Sequence, residues 1–218
     1  MAVTAQDIAK LRAQTGAGML DCKKALDETN GDFEKALDWL RERGVAKAAK
    51  RAGKVTAEGT VASYIHGAGK VGVLVEVNCE TDFVAKNDGF QDLVGDIALH
   101  IAAAGPQYVT REEVPAELVD REKNVYVEQM KNEGKPADII EKIVGGKMDK
   151  FYSEICLMEQ PFIKDEDMTI EQLLTKKTGE IGEKISVRRF SRYELGEGIE
   201  KEKANLAAEV EEQLAAQK

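Results

Sequence analysis

Apolar residues recur along this chain with two different periods, and the periods divide it into helical and extended segments. A spacing of three or four residues predicts helices, whereas strict alternation predicts strands with one buried face. Capping residues, prolines and glycines bound most of these segments. The predicted helices cover residues 4–15, 19–28, 33–43, 90–104, 115–132, 136–144, 147–157 and a short stretch after Thr169. The predicted strands cover residues 59–66, 70–78 and 185–195.

The order of these segments predicts an α+β fold. Three short helices joined by glycine turns in residues 1–44 indicate a compact three-helix module of the ubiquitin-associated type. An Ala/Lys/Arg-rich linker follows at residues 45–57. Residues 58–198 are predicted to form the core domain, in which a small antiparallel sheet of about three strands packs with helices. Residues 199–218 carry one apolar helical stripe and are predicted to form a C-terminal helical segment.

Residue types alone predict three local features. Gly44 is expected to end the third helix, and Gly145-Gly146 is expected to break the helical pattern between residues 136 and 157. Residues 164–167, Lys-Asp-Glu-Asp, contain three clustered carboxylates without the spacing of a calcium loop and are predicted to form a solvated loop. The last strand carries three arginines, which we expect to pair with neighbouring carboxylates: Arg188, Arg189 and Arg192.

The strongest strand signal, residues 71–78, leads directly into a stretch that connects it to the helix from Phe90. This joint, residues 79–87, reads Cys-Glu-Thr-Asp-Phe-Val-Ala-Lys-Asn. Thr81 and Asp82 lie where N-cap residues belong. Phe83 falls at the boundary between sheet and helix, where its ring can fold into the core or stand outside as a contact for another protein. Residue type favours the core, since aromatic residues near element ends are mostly buried.

Charge and cysteine usage narrow the function classes. The chain has 31 Lys and Arg against 40 Asp and Glu, a net charge of −9, so we expect neither direct nucleic-acid binding nor membrane binding. Residues 1–54 carry a net +3, which leaves −12 for residues 55–218. The N-terminus lacks a leader pattern and no apolar run reaches membrane-spanning length, which predicts a cytoplasmic protein. Cys22, Cys79 and Cys156 lack metal-ligand spacing and are expected to be small buried residues.

Little in the sequence supports an enzyme. Residues 67–72 match the dinucleotide-binding pattern G-x-G-x-x-G, but that fingerprint needs a strand before it and a helix after it. A strong strand follows here, so the glycines are predicted to form a hairpin turn. His66 and His100 have no evident triad partners, and no phosphate-binding loop, nucleophile elbow or zinc-protease motif is present. We therefore expect no catalytic residue, no cofactor and no metal.

Four groups of residues form motifs that occur in order along essentially the whole chain. They are Leu11-Arg12 with residues 15–26, residues 75–87, Gln160-Pro161-Phe162, and residues 194–200. Together they resemble the bacterial and organellar translation elongation factor Ts family. Longer members of that family carry a duplicated core half and a helical-hairpin insertion. This chain looks like the short form with one core unit.

The resemblance implies a guanine nucleotide exchange factor for the GTPase elongation factor Tu, bound in its GDP-bound and nucleotide-free states. In that family a Thr-Asp-Phe-Val segment reaches the magnesium site of the GTPase, which assigns this role to Thr81, Asp82, Phe83 and Val84. The helical module of the family contacts the nucleotide-binding domain, which implies a second set of contact residues: Gly18, Met19, Leu20 and Lys23.

Two alternatives stay open at this point. Short forms of the family can pair to supply the missing core half, so the resemblance is compatible with a homodimer as well as a monomer. An ubiquitin-associated-type adaptor that tethers partners without exchange activity would explain residues 1–54, but it leaves the joint and the core domain unexplained.

Overall fold

The computed structural model describes residues 3–199, which form a mixed helix and sheet structure. The helices are α1 (Ala5–Thr15), α2 (Met19–Glu28), α3 (Phe33–Arg51), α4 (Asp82–Ala85), α5 (Asp88–Ala104), α6 (Ala116–Asn132), α7 (Ala137–Ile155) and α8 (Ile170–Ile181). The strands are β1 (Glu58–His66), β2 (Val71–Cys79), β3 (Pro161–Phe162), β4 (Asp165–Thr169) and β5 (Ser186–Glu194). The predicted α+β class is confirmed, whereas the domain boundaries stay predictions. The predicted C-terminal helical segment, apart from Ile199, lies outside the described residues.

The N-terminal helices α1, α2 and α3 enclose a small core of their own. Thr4 caps α1 by accepting a hydrogen bond from the Asp7 backbone N–H, while the Asp7 carboxylate accepts one from the Thr4 N–H. Gly16 ends α1 with a φ of 67°, a conformation that glycine adopts without strain. Five side chains are fully buried between the helices: Leu11, Cys22, Ala25, Leu26 and Ala36. The predicted trio of N-terminal helices is thereby confirmed.

Helix α3 is longer than predicted, because it continues through Gly44 to Arg51. A glycine inside a helix costs only about 1 kcal/mol relative to alanine, and the residues that follow are rich in Ala, Lys and Arg, which favour helix. Gly44 also lies against α8, where a Cβ built on Gly179 would come within 2.7 Å of the Gly44 Cα. The two glycines therefore form the crossing at which the N-terminal helices pack against the core domain.

Strands β1, β2 and β5 form the predicted three-stranded antiparallel sheet, and their order in it is β1-β2-β5. Between β1 and β2 the chain turns through Gly67, Ala68 and Gly69, whose φ angles are 60°, 56° and 89°. Such left-handed conformations are typical of tight hairpin turns and favour glycine. Since a strand lies on each side of these glycines, the hairpin interpretation of residues 67–72 is confirmed.

The two faces of this sheet have different surroundings. The inner face packs on α5 and forms the main core, whose largest fully buried side chains include Val75, Val77, Phe90, Leu93, Val94, Ile97 and Ile101. The outer sheet face carries four apolar side chains that are between 52% and 75% exposed: Val61, Ile65, Leu74 and Tyr193. Their cross-strand positions place them on one side of the sheet.

Helices α6 and α7 form a hairpin around a third, smaller core, so a helical hairpin is present in this short chain. The predicted break at Gly145-Gly146 is wrong, because α7 runs without interruption from Ala137 to Ile155. Val144 and Met148, on either side of the glycines, are buried against this core and hold the helix in place. Within residues 3–199, none of the helices combines the length and the apolar character needed to cross a membrane.

Residues 164–167 lie in a β hairpin, so the prediction of a solvated loop is wrong for their backbone. Strand β4 pairs antiparallel with β3. The side chains of Asp165, Glu166 and Asp167 are nevertheless exposed. Thr169 then ends β4 and caps α8 together with Gln172, which confirms the short helix predicted after Thr169.

The charged and thiol side chains behave as expected. Arg188 and Arg189 donate hydrogen bonds to Glu76 at 3.0 and 2.7 Å, and the bond from Arg189 contributes most to lowering the pKa of that carboxylate. Arg192 donates to Glu194 at 2.8 Å, so the predicted pairing of the arginines is confirmed. All three cysteines are free and buried, and burial raises the pKa of each thiol: Cys22, Cys79 and Cys156.

Candidate functional site

The joint between β2 and α5 contains a separate one-turn helix, α4. Strand β2 ends at the buried Cys79, and Thr81 takes up the extended conformation of an N-cap residue, with φ −130° and ψ 155°. Its hydroxyl accepts a hydrogen bond from the Val84 N–H at 3.4 Å. After α4, the Asn87 side chain accepts a bond from the Gly89 N–H at 2.8 Å and starts α5. Two caps within seven residues thus fix the path of the chain here.

The four predicted contact residues of the joint divide into two that face inwards and two that face outwards. Thr81 is half-buried, and Val84 packs against the main core. Asp82 and Phe83 lie between them in sequence and are exposed, with 82% of Phe83 accessible to solvent. A single helical turn produces this division, since residues three apart share a face and the two between them point away. Phe83 therefore stands outside the core, although residue type alone favoured burial.

Asp82 keeps its negative charge at neutral pH. Its carboxylate accepts a hydrogen bond from Lys86 Nζ at 2.8 Å, and this bond is the main cause that lowers the pKa of Asp82. Both side chains are largely in solvent, so the pair is worth little in stability and can open on contact with a partner. The outward face of α4 thus presents one aromatic ring beside one carboxylate.

Thr81 is held from a distant part of the chain. Glu183, between α8 and β5, accepts hydrogen bonds from the Thr81 N–H at 3.0 Å and from its hydroxyl at 2.7 Å. The neighbouring Glu80 accepts from the Lys184 backbone N–H at 2.7 Å and from Arg51 Nη1 at 2.8 Å. The hydrogen bond from Lys184 is the main cause that lowers the pKa of Glu80. The sequence pattern does not predict a role for Glu183 or Arg51, since no local motif links either residue to the joint.

The second predicted set, Gly18, Met19, Leu20 and Lys23, forms the N-terminal corner at the start of α2. Gly18 is the N-cap residue of this helix. All four residues are exposed, and Leu20 shows 84% of its surface to solvent. Apolar side chains that stand in water at a helix start are available for a partner rather than needed for the small core.

Helix α3 connects the N-terminal corner to the joint. Lys47 Nζ pairs with Asp21, in the first turn of α2, at 2.7 Å. Arg51 pairs with Glu80, in the joint, at 2.8 Å. Lys47 and Arg51 are one helical turn apart and lie on the same face, about 6 Å apart along the axis. The part of α3 beyond Gly44 therefore binds the N-terminal corner through Lys47 and the joint through Arg51, both on one face of the helix.

A cleft of about 750 Å³ lies between the N-terminal helices and α8, away from α4. Its walls carry both signs of charge, including Asp21, Arg41, Lys47, Asp167 and Glu180. Within the described part of the chain, no group of three or more His, Cys, Asp or Glu side chains could hold a metal ion. The exposed residues of α4 and the N-terminal corner, rather than this cleft, form the candidate site.

Comparison with known proteins identifies the family. The family model described as elongation factor TS matches residues 5–197. Elongation factor Ts of Geobacter sulfurreducens is 61% identical over 96% of this chain and 97% of its own length. The proteins of the same name from Alkaliphilus oremlandii and Acetivibrio thermocellus are each 59% identical, over 99% and 97% of this chain and 99% of their own lengths. The chain therefore belongs to the elongation factor Ts family.

Proposed function

We propose that this protein is a guanine nucleotide exchange factor for elongation factor Tu, acting in the cytoplasm during translation elongation. The observation that carries the proposal is Phe83, whose ring is 82% exposed on the one-turn helix α4, between the N-cap residue Thr81 and the start of α5. An apolar ring held in water serves no purpose in the protein's own core. Its position matches the segment that the family resemblance assigns to the GTPase magnesium site.

The proposed mechanism needs no chemistry from the factor itself. Bound GDP is held largely through its phosphates and through Mg²⁺, which neutralises their charge. A factor that favours a GTPase conformation in which the ligands of the ion no longer line up weakens GDP binding. Phe83 would enter between elements of the partner, and Asp82 would place a negative charge near the ion. Thr81 and Val84 would hold the backbone that carries them.

A single aromatic ring is too small a contact for this task. If the factor weakens the affinity of elongation factor Tu for GDP about a thousandfold, the coupling free energy between the two ligands is ~4 kcal/mol. GDP must then weaken the binding of the factor by the same amount. Burial of one ring contributes about 1.5–3 kcal/mol. A second contact surface is therefore part of the proposal. The N-terminal corner supplies it, with Met19 and Leu20 as apolar contacts and Lys23 as a positive charge.

Release of fluorescent GDP from purified elongation factor Tu tests this function. The rate is measured with and without sub-stoichiometric amounts of the protein. We expect fast release over repeated turnovers, because an exchange factor dissociates once new nucleotide binds. Unchanged release despite demonstrated binding would instead favour the adaptor that tethers partners without exchange.

We also propose that two copies pair through the outer sheet face. Among residues 3–199, no helix covers Val61, Ile65, Leu74 and Tyr193, and four such apolar side chains on one flat surface are typical of a protein contact. Glu76 and its partners Arg188 and Arg189 lie beside this apolar group, since Glu76 and Arg189 share a cross-strand row with Val61, and they would form a polar border on one side of it.

Leu74→Lys tests the homodimer. We expect the substitution to raise the dimer dissociation constant at least roughly tenfold, because a charged side chain would have to be buried in the interface. Sedimentation velocity over a range of protein concentrations measures it. Val125→Lys, on an exposed apolar position of α6, is the matched control and should leave association unchanged. A monomeric natural protein, or a dimer indifferent to both substitutions, would contradict the proposed interface.

A further inference from the structure

The N-cap of α4 is weak when its own atoms are considered alone. The bond that Thr81 Oγ1 accepts from the Val84 N–H is 3.4 Å long, at the far end of the range for such contacts. The same hydroxyl donates to Glu183 over only 2.7 Å. Hydrogen bonds to a carboxylate are roughly twice as strong as neutral ones. The orientation of the cap residue is thus set mainly by Glu183.

Glu80 and Glu183 form a reciprocal pair, which we call the clamp. Glu183 accepts the backbone N–H of Thr81 at 3.0 Å, and Glu80 accepts the backbone N–H of Lys184 at 2.7 Å. Two neighbouring loops are therefore joined in both directions, because a carboxylate of each loop accepts a hydrogen bond from a main-chain N–H of the other. Two such links, one in each direction, fix the relative position of the loops more firmly than one bond would.

The clamp also reaches helix α3. Arg51 donates to the second oxygen of Glu80, whose side chain is only 14% exposed. Lys184 Nζ donates to the carbonyl oxygens of Ala52 and Lys54 at 2.6 and 3.1 Å. The end of α3, the start of α4 and the connection from α8 to β5 consequently meet at one junction.

Helix α4 depends on such support more than the other helices do. It has four residues, whereas isolated helices shorter than about 12 residues are marginal in water. Val84 and Ala85 attach its inner side to the main core. The outer side carries Phe83, which is mostly in solvent and has little packing to orient it. The direction of the ring is therefore decided by the backbone, and the backbone is fixed where α4 begins.

We infer that Glu183 and Glu80 are positioning residues that hold α4 in the conformation in which Phe83 meets its partner. The inference deepens the proposed function and rests on it. A preorganised ring loses less conformational freedom on binding than one on a loose turn, so more of its contact energy appears as affinity. The clamp acts on the partner through Phe83, because neither carboxylate is free to make the contact itself.

A double-mutant cycle tests the connection between the clamp and the ring. The rate of GDP release at sub-saturating factor is measured for Glu183→Gln, for Phe83→Ala and for the two combined. We expect Glu183→Gln alone to lower the rate roughly tenfold, the size of one charged hydrogen bond. Combined with Phe83→Ala, it should add less than a further twofold loss. Glu166→Gln removes the same charge from an exposed position of the β3–β4 hairpin and should have no effect.

Amide hydrogen exchange of the isolated protein provides a reading that needs no partner. We expect Glu183→Gln to make the hydrogen-bonded amides of Thr81, Val84 and Ala85 exchange roughly tenfold faster, while those of β2 and α5 stay protected. Unchanged hydrogen exchange at these three amides would overturn the inferred positioning role of the clamp. Losses of GDP release that simply add in the double variant would overturn it as well. Slow GDP release with the natural protein would instead overturn the proposed function, whatever the exchange result.

Discussion

Replacing Phe83 by alanine is expected to slow factor-stimulated GDP release roughly ten- to hundredfold. This range corresponds to the loss of about 1.5–3 kcal/mol from one buried ring, provided that the ring is buried only in the complex with elongation factor Tu. Stopped-flow measurement of fluorescent GDP release gives the rate. Most of the partner binding should persist, since the N-terminal corner is unchanged.

The fold provides the control for this prediction. Because Phe83 is 82% exposed, its truncation should leave the circular dichroism spectrum and the unfolding midpoint unchanged. Ile139→Ala removes an apolar side chain that is 43% exposed on α7, far along the chain from the joint, and should not alter release. A loss of folding in Phe83→Ala would mean that the ring belongs to the core. An equal slowing of GDP release by Phe83→Ala and by Ile139→Ala would mean that the effect is not specific to α4.

Replacing Gly179 by alanine is expected to lower the free energy of unfolding by about 1–3 kcal/mol, the usual cost of overpacking. The added Cβ would lie 2.7 Å from the Gly44 Cα and 2.9 Å from its carbonyl oxygen. Both are backbone atoms, so α3 and α8 must move apart to accommodate it. Urea denaturation followed by circular dichroism measures the change.

Gly44→Ala is the matched control at the same crossing. Its Cβ would lie 3.9 Å from the Gly179 Cα, an ordinary contact, so the variant should keep or gain stability through its helix propensity.

Displacement of α3 in Gly179→Ala should also raise the factor concentration needed for half-maximal GDP release, because α3 ties the N-terminal corner to the joint. Equal stability of the two variants would show that the helices separate at no cost.

Much of the fold could be predicted from the hydrophobic pattern, because most elements bury one face of regular period. The alternation in β1, β2 and β5 and the apolar stripe of α5 are clear in the sequence. The wrong helix ends share one cause. Gly44 and Gly145-Gly146 are weak local stop signals, and contacts distant in sequence outweigh them. Gly44 contacts Gly179. At Gly145-Gly146, the flanking residues Val144 and Met148 are buried against α6, and this packing keeps α7 helical through the glycines.

The candidate site could be predicted only in part. The capping role of Thr81 followed from the residue order, but the pattern could not decide whether Phe83 is buried or exposed. That choice depends on which side of a one-turn helix meets the core. Glu183 lies 102 positions from Thr81, and a single carboxylate in a polar loop gives no sign of its partner. Family resemblance assigned the residues of the joint, while their support is visible only in three dimensions.

The burial of the three cysteines makes the natural chain a convenient background for site-specific dye labelling. Thiol reagents attack the thiolate, and burial both excludes the reagent and raises the pKa of each thiol, to about 11 for Cys156. A cysteine introduced at an exposed position, such as Lys24 on α2 or Asp88 on α5, would react selectively without removal of the native thiols. Fluorescence energy transfer between dyes at these two positions would then report how the N-terminal corner and the joint move together during nucleotide exchange.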